Sequence, residues 1–199
     1  MNEQSPAKLK DQMRREALAQ RDALDPAERK AASERIVGRL AELLRETEVG
    51  SFSAYMPIRS EVDLTPIFAI ADEIGVAMAL PAQMPEGLIF RAWRHGEPLV
   101  ASNFRVREPR PDAHPITPEL IVVPMLAFDR DRHRLGYGRG HYDRAIAALL
   151  ADGIRPLLVG VAFSTQEVAA IPAEPHDVPL DVIVTDVETI GAQASADER

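Results

Sequence analysis

Wholly apolar runs alternate with helical periodicities along this chain. Residues 120–123 (LIVV) and 157–163 (LLVGVAF) carry no charged or strongly polar side chain, as strands buried on both faces of a sheet do. Shorter strands are predicted at 51–56 (SFSAYM), 76–80 (VAMAL), 88–93 (LIFRAW) and 182–185 (VIVT). Leu9, Met13, Ala17 and Leu24 recur at helical spacing and predict a helix over 7–24. A second helix is predicted over 26–46, with Asp25 as N-cap, Pro26 in the first turn, and Ile36, Val37, Leu40, Leu43 and Leu44 on one face. Further helices are predicted over 64–74, capped by Asp63 or Thr65 and stopped by Gly75, and over 145–150, with Gly153 just beyond its end. A short one is predicted over 165–171.

Strand and helix alternating in this way predict an α/β layer structure, a single domain on a largely parallel sheet with an N-terminal helical pair. Residues 95–118, rich in Pro, Arg and Glu, read as a long irregular connection. The small polar tail and the first few residues, about 1–6 and 190–199, are expected to fray. Trp93, the one tryptophan, is expected in the core rather than stacked on a ligand.

Composition narrows the functional classes. The 199 residues suffice for one sizeable core, and zero cysteines remove disulfides, thiolate metal sites and cysteine nucleophiles together. A net charge of −8 argues against a nucleic-acid partner, whose affinity comes from a basic face. No apolar run is long enough to span a bilayer and no signal-peptide core opens the chain, so a cytoplasmic protein without a membrane partner is expected. The five histidines show no zinc-ligand spacing. A monomer is the default expectation.

Candidate chemistry concentrates in 124–144, PMLAFDRDRHRLGYGRGHYDR, between the strand at 120–123 and the helix after it. Gly136, Gly138 and Gly140 alternate there, flanked by Arg134, Arg139 and Arg144. Glycines let backbone N–H groups approach a ligand, a helix N-terminus adds positive charge, and arginines complement phosphate. Alone, Gly-x-Gly-x-Gly also fits an ordinary solvated loop. It is neither a dinucleotide fingerprint, which would need glycine at His141, nor a Walker loop, which would need Gly-Lys-Ser/Thr.

The whole string is more specific than its glycines. Pro124, Phe128, Asp129, Arg134, Leu135, Gly136, Gly138, Gly140, Tyr142, Asp143 and Arg144 stand in the register of the 5-formyltetrahydrofolate cyclo-ligase signature, and the segment closely resembles that family. Two positions depart from it. Arg132 stands where glycine is common, and His141 stands where tyrosine is common.

Three flanking segments extend the resemblance. Lys10 and Arg14, four apart on the first helix, would by themselves be an ordinary solvated stripe. They match the family's Lys-x-x-x-Arg, whose side chains reach ATP phosphates. Tyr55, Pro57, Glu61, Val62 and Asp63 match a folate-site segment, which implies that Glu61 accepts the pterin N–H groups with Met56 packed nearby. His176, Asp177 and Asp181 resemble the acidic segment before the family's last strand.

The resemblance implies ATP contacts from Lys10, Arg14, Arg134, Leu135, Gly136, Tyr137, Gly138, Arg139, Gly140, His141 and Tyr142, with Arg134, Arg139 and Tyr142 closest to the chemistry. It implies folate contacts from Met56, Glu61, Tyr137, Gly138, Arg139, Gly140 and His141, and Mg²⁺ on Asp143 and Asp181. The implied reaction joins ATP and 5-formyltetrahydrofolate to give 5,10-methenyltetrahydrofolate, ADP and phosphate. Arg132 and His141 leave open a folate- or nucleotide-binding protein without turnover, and a third reading is an ATP-dependent enzyme of another small amide or pterin.

Overall fold

A computed structural model describes residues 6–191 apart from 86, 103–105, 173 and 175–176; the predicted turn at Glu86 and the candidate His176 therefore lie outside the described residues, as do 1–5 and 192–199. Its centre is a seven-stranded sheet in the order β3-β2-β1-β6-β9-β10-β11. Here β1 is Ser51–Ser53, β2 is Ala77–Met84, β3 is Gly87–Ala92, β6 is Leu120–Pro124, β9 is Leu157–Val161, β10 is Val182–Val184 and β11 is Thr189–Ile190. Strands β2, β1, β6, β9 and β10 run parallel, and only the edge strands β3 and β11 are antiparallel.

Side-chain alternation divides the apolar strands between two cores. Leu120 and Val122 face α2 (Pro26–Glu46) and α3 (Thr65–Ile74), with Ile36, Leu40, Leu44, Ile67 and Phe68 in one cluster. Ile121 and Val123 point the other way, joining Ala145 and Ile146 of α4 (His141–Ala151) in a second. Runs such as LIVV are apolar throughout because both sheet faces are covered. Trp93 is buried as expected, its ring edge-on to Phe68 with centroids 5.1 Å apart.

The local signals also operate where they were read. Asp25 caps α2, its Oδ1 accepting from the N–H groups of Ala27 and Glu28, and Gly75 ends α3 in a left-handed conformation. The N-terminal helices part company: α1 (Pro6–Asp22) buries Ala17 against Leu126, Ala127 and Leu135, while α2 packs on the sheet.

Several elements differ from expectation. The signature loop folds as a small antiparallel hairpin, β7 (Ala127–Phe128) with β8 (Arg134–Leu135). The 95–118 connection contains another, β4 (Val100–Ala101) with β5 (Arg107–Glu108). The expected helix at 165–171 is only a 3-10 turn, Ser164–Gln166, and α4 starts four residues early because Gly140 turns the chain left-handed just before it. Pro6 and Ile190, expected to fray, begin α1 and pair in β11. Among the described residues no helix is long and apolar enough to cross a membrane.

Candidate functional site

The sheet leaves a cleft of about 620 Å³ beyond the C-terminal ends of β1 and β6, beside the second half of β2. This is where parallel α/β sheets hold ligands, because loops and helix N-termini converge there. Lys10, Arg14, Met56, Glu61, Arg134, Leu135, Gly136, Tyr137, Gly138, Arg139, Gly140, His141, Tyr142 and Asp143 all line it. Three separated segments thus meet in one cavity.

One end is cationic. The Arg14 Nε donates to the Gly136 carbonyl at 3.0 Å, fixing the first helix against the glycine loop. Gly138 has φ +86°, and Gly140, with φ +61°, opens α4. The N-terminus of α4 therefore points its orphan N–H groups and positive dipole end into the cleft. His141 sits in the first turn, its imidazole pKa lowered by burial and then by Arg144 and Arg139. Arg134 is held by the Val178 carbonyl at 2.6 Å and by a short ion pair with Asp143.

The same end carries acids that were not singled out as metal ligands. Lys10 Nζ lies 2.6 Å from Glu174 Oε2 and 3.0 Å from Asp177 Oδ2, and both acids line the cleft. Burial lowers the Lys10 pKa, but hydrogen bonds to Glu174 and Asp177 outweigh it and the net shift is upward. The expected partnership of Asp143 with Asp181 is not made. Asp181 lies immediately before β10, where Val182 is level with Val159, at the N-terminal side of the parallel strands. Its carboxylate accepts from the Leu158 N–H at 2.8 Å and meets Arg155 at 3.3 Å, away from the cleft residues. The physical reason is register: the resemblance located the acidic segment, and only strand pairing could say which of its acids faces the cavity.

The other end is apolar with a few directed acceptors. Met56, Leu88, Pro81 and Val106 line it together with Glu61, Gln83 and Glu108. Glu61 Oε2 accepts from the Ile58 N–H at 3.0 Å, and Oε1 accepts from the Tyr137 hydroxyl at 2.8 Å. Burial is the main cause that raises the Glu61 pKa, partly offset by these donors and by Arg21 and Arg59. Burial, and next the Glu61 charge, push Tyr137 up to about 12. Tyr142, packed against the second core, is likewise raised well above its ordinary value by burial, so its phenol stays protonated at neutral pH. Gln83 Oε1 is buried with no hydrogen-bond partner among the described residues.

The turn at Arg132 explains one departure from the signature. Arg132 has φ +67°, a left-handed conformation that glycine adopts without cost. The turn keeps its shape around Asp129, whose Oδ1 accepts from the N–H groups of Asp131 and His133 and whose Oδ2 accepts from that of Ile171. Asp129, Asp131 and His133 are the one group of three potential metal ligands with atoms all within 4.8 Å of one another among the described residues, and these bonds account for it as the organiser of the β7–β8 hairpin.

Known proteins share this chain's sequence and fold. The model of the 5-formyltetrahydrofolate cyclo-ligase family matches residues 6–186. The chain belongs to that family. It is 33% identical over 188 residues to the 5-formyltetrahydrofolate cyclo-ligase of Mycolicibacterium smegmatis, covering 88% of this chain and 93% of that one. It is 26% identical over 172 residues to the corresponding protein of Escherichia coli K12, covering 83% and 93%. Among solved structures, the 5,10-methenyltetrahydrofolate synthetase of Aquifex aeolicus superposes with a TM-score of 0.80 at 30% identity, covering 96% of both chains.

Sequence reading missed Gln83 and Glu174, which folding alone brings to the cleft. It also missed Arg21, for which a signal existed. Lys10, Arg14 and Arg21 fall at i, i+4 and i+11, one stripe of a helix turning by about 100° per residue.

Proposed function

We propose that this chain converts 5-formyltetrahydrofolate and ATP into 5,10-methenyltetrahydrofolate, ADP and phosphate. The observation that carries this reading is the single cleft with a cationic, glycine-lined end and an apolar end holding a buried acceptor, joined by the 136–142 loop. Membership of the family supports it.

The chemical difficulty is that a formyl oxygen cannot leave as oxide. In this reading the triphosphate lies along Lys10, Arg14, Arg139 and the start of α4, and the pterin ring lies against Met56 with its N–H groups on Glu61. The formyl oxygen attacks the γ-phosphorus as the bond to the ADP oxygen breaks, giving a phosphorylated N5 iminium. The N10 lone pair then adds to the activated carbon, N10 loses its proton, and the C–O bond breaks to release phosphate. No covalent protein nucleophile is needed. The protein's work is positioning and charge stabilisation, which accounts for a site rich in arginine and backbone N–H groups.

Half-exposed carboxylates beside a phosphate site suit Mg²⁺, a hard cation that prefers oxygen ligands and keeps several waters. Asp143 and Asp177 are the groups that would hold it, with Glu174 adjacent. When bound, the ion supplies neutralisation of the phosphate charge. Lys10 leaves its present acidic partners for the phosphates in this reading, so the cation and the lysine exchange counter-charges.

Purified protein with ATP, Mg²⁺ and 5-formyltetrahydrofolate should develop methenyl absorbance and release one ADP per product. Saturable binding of the folate with no ADP would establish a binder instead. Release of ADP only with another amide or pterin would move the assignment to that substrate.

A further inference from the structure

Arg21 occupies the last turn of α1 and is 1% exposed, yet it is absent from the lining of the cleft. A buried guanidinium is costly unless its donors are used. Here Nη2 donates to the Tyr137 hydroxyl at 2.7 Å and Nε donates to Ser60 Oγ at 3.1 Å, with the guanidinium carbon 5.8 Å from the Tyr137 ring centroid.

Arginine has five donors and no acceptor, so the direction of every proton in this network is fixed. Tyr137 Oη must accept from Arg21, and its single proton is therefore committed to Glu61 Oε1. Ser60 Oγ must accept as well, and its proton goes to Asp22 in a short hydrogen bond. A hydroxyl that accepts from a cation becomes a better donor, because each bond polarises the next. Glu61 thus receives a strengthened hydrogen bond on one oxygen and the Ile58 N–H on the other. Its remaining lone pairs stay available to the cavity.

We propose that Arg21 is a positioning residue for folate recognition: held behind the cleft wall, it sets Tyr137 as a donor to Glu61 and so fixes Glu61 as an oriented acceptor. This rests on the reading of Glu61 as the pterin acceptor. It also gives α1 a double task. Lys10 and Arg14 serve the phosphate end, and Arg21, about 16 Å along the same stripe, serves the folate end. The helix then couples the placement of the two substrates, since its tilt moves both sets of contacts together.

The test compares Michaelis constants for the two substrates in Arg21→Gln, Tyr137→Phe, their double variant and Glu61→Gln. Arg21→Gln should raise the KM for 5-formyltetrahydrofolate about tenfold, the scale of a lost charge-assisted hydrogen bond, while the KM for ATP changes by less than about twofold. The double variant should bind folate about as poorly as Tyr137→Phe alone, because Arg21 acts through that hydroxyl. A parallel rise in the KM for ATP, or effects that multiply in the double variant, would overturn the proposal and leave Arg21 a general structural residue. Should Arg21→Gln fail to fold, Arg21→Lys enters the same cycle. Lysine keeps the charge but cannot span Tyr137 and Ser60 as the planar fork does, and a smaller folate-specific defect is expected. Unchanged folate KM in Glu61→Gln would instead remove the reading of Glu61 on which the proposal rests.

Discussion

A Cβ placed on Gly138 would lie 3.1 Å from Cζ of Arg14 and 3.3 Å from its Nε. The guanidinium of the first helix therefore lies almost against the backbone of the glycine loop, with its Nε bound to the Gly136 carbonyl.

Gly138→Ala accordingly suffers twice. It forces alanine into φ +86°, which costs about 1–2 kcal/mol, and it pushes Arg14 away from the loop. Steady-state kinetics should show a KM for ATP raised at least about tenfold. Gly136→Ala meets no described protein atom within 4 Å of the added carbon and leaves Arg14 in place, so its KM for ATP should rise less. Equal defects in the two variants would contradict the close packing of Arg14.

Asp177 and Asp181 are separated by four positions and should behave oppositely. Asp177→Asn should weaken Mg²⁺-dependent turnover, seen as a right-shifted Mg²⁺ activation curve. Asp181→Ala should leave that curve in place and lower thermal stability by about 1–2 kcal/mol, since the Leu158 N–H loses a charged acceptor held at 2.8 Å. A shifted activation curve for Asp181→Ala would return the metal role to it.

Glu61 predicts a pH dependence. Its folded pKa is raised by burial, so the folded state holds the proton more tightly than the unfolded chain does. The sign follows from linkage: this group's contribution to stability falls as pH rises from the ordinary carboxylate value to the raised one. Binding runs the other way, because the pterin needs the ionised acceptor. The kcat/KM for folate should drop as pH falls through the raised pKa, at a higher pH than an ordinary glutamate would give. Arg21, Arg59, Tyr137, Tyr55 and Tyr142 are the charged or titratable groups near it. A pH profile unchanged in Glu61→Gln would assign that limb elsewhere.

Gln83 Oε1, which has no partner among the described residues, predicts a substrate contact. A buried carbonyl oxygen without a donor costs about 1–3 kcal/mol, and a ligand N–H would relieve it. Gln83→Leu should make the ligand-free protein no less stable while raising the KM for folate several-fold. A destabilised variant with unchanged KM would make Gln83 a purely structural residue.

What the amino-acid order determined by itself was mostly local. The LIVV strand, the Asp25 cap and Gly75 act through neighbours in sequence, and all were legible. The signature was legible too, because a loop that approaches a ligand constrains many consecutive residue types at once. The β7–β8 hairpin was not. It is held by Asp129, one carboxylate collecting donors from its own turn and from Ile171, a long-range contact with no local pattern. Asp181 was misplaced for a related reason: only strand register determines which end of the sheet a residue occupies, and register depends on partners far along the chain. Glu174 meets Lys10 across 164 positions, and Arg21 meets Tyr137 across 116. Sequence named the chemistry of the phosphate loop. Tertiary structure chose its counter-charges, because burial and pairing, which decide whether a charge is structural or available, exist only once the chain has closed around it.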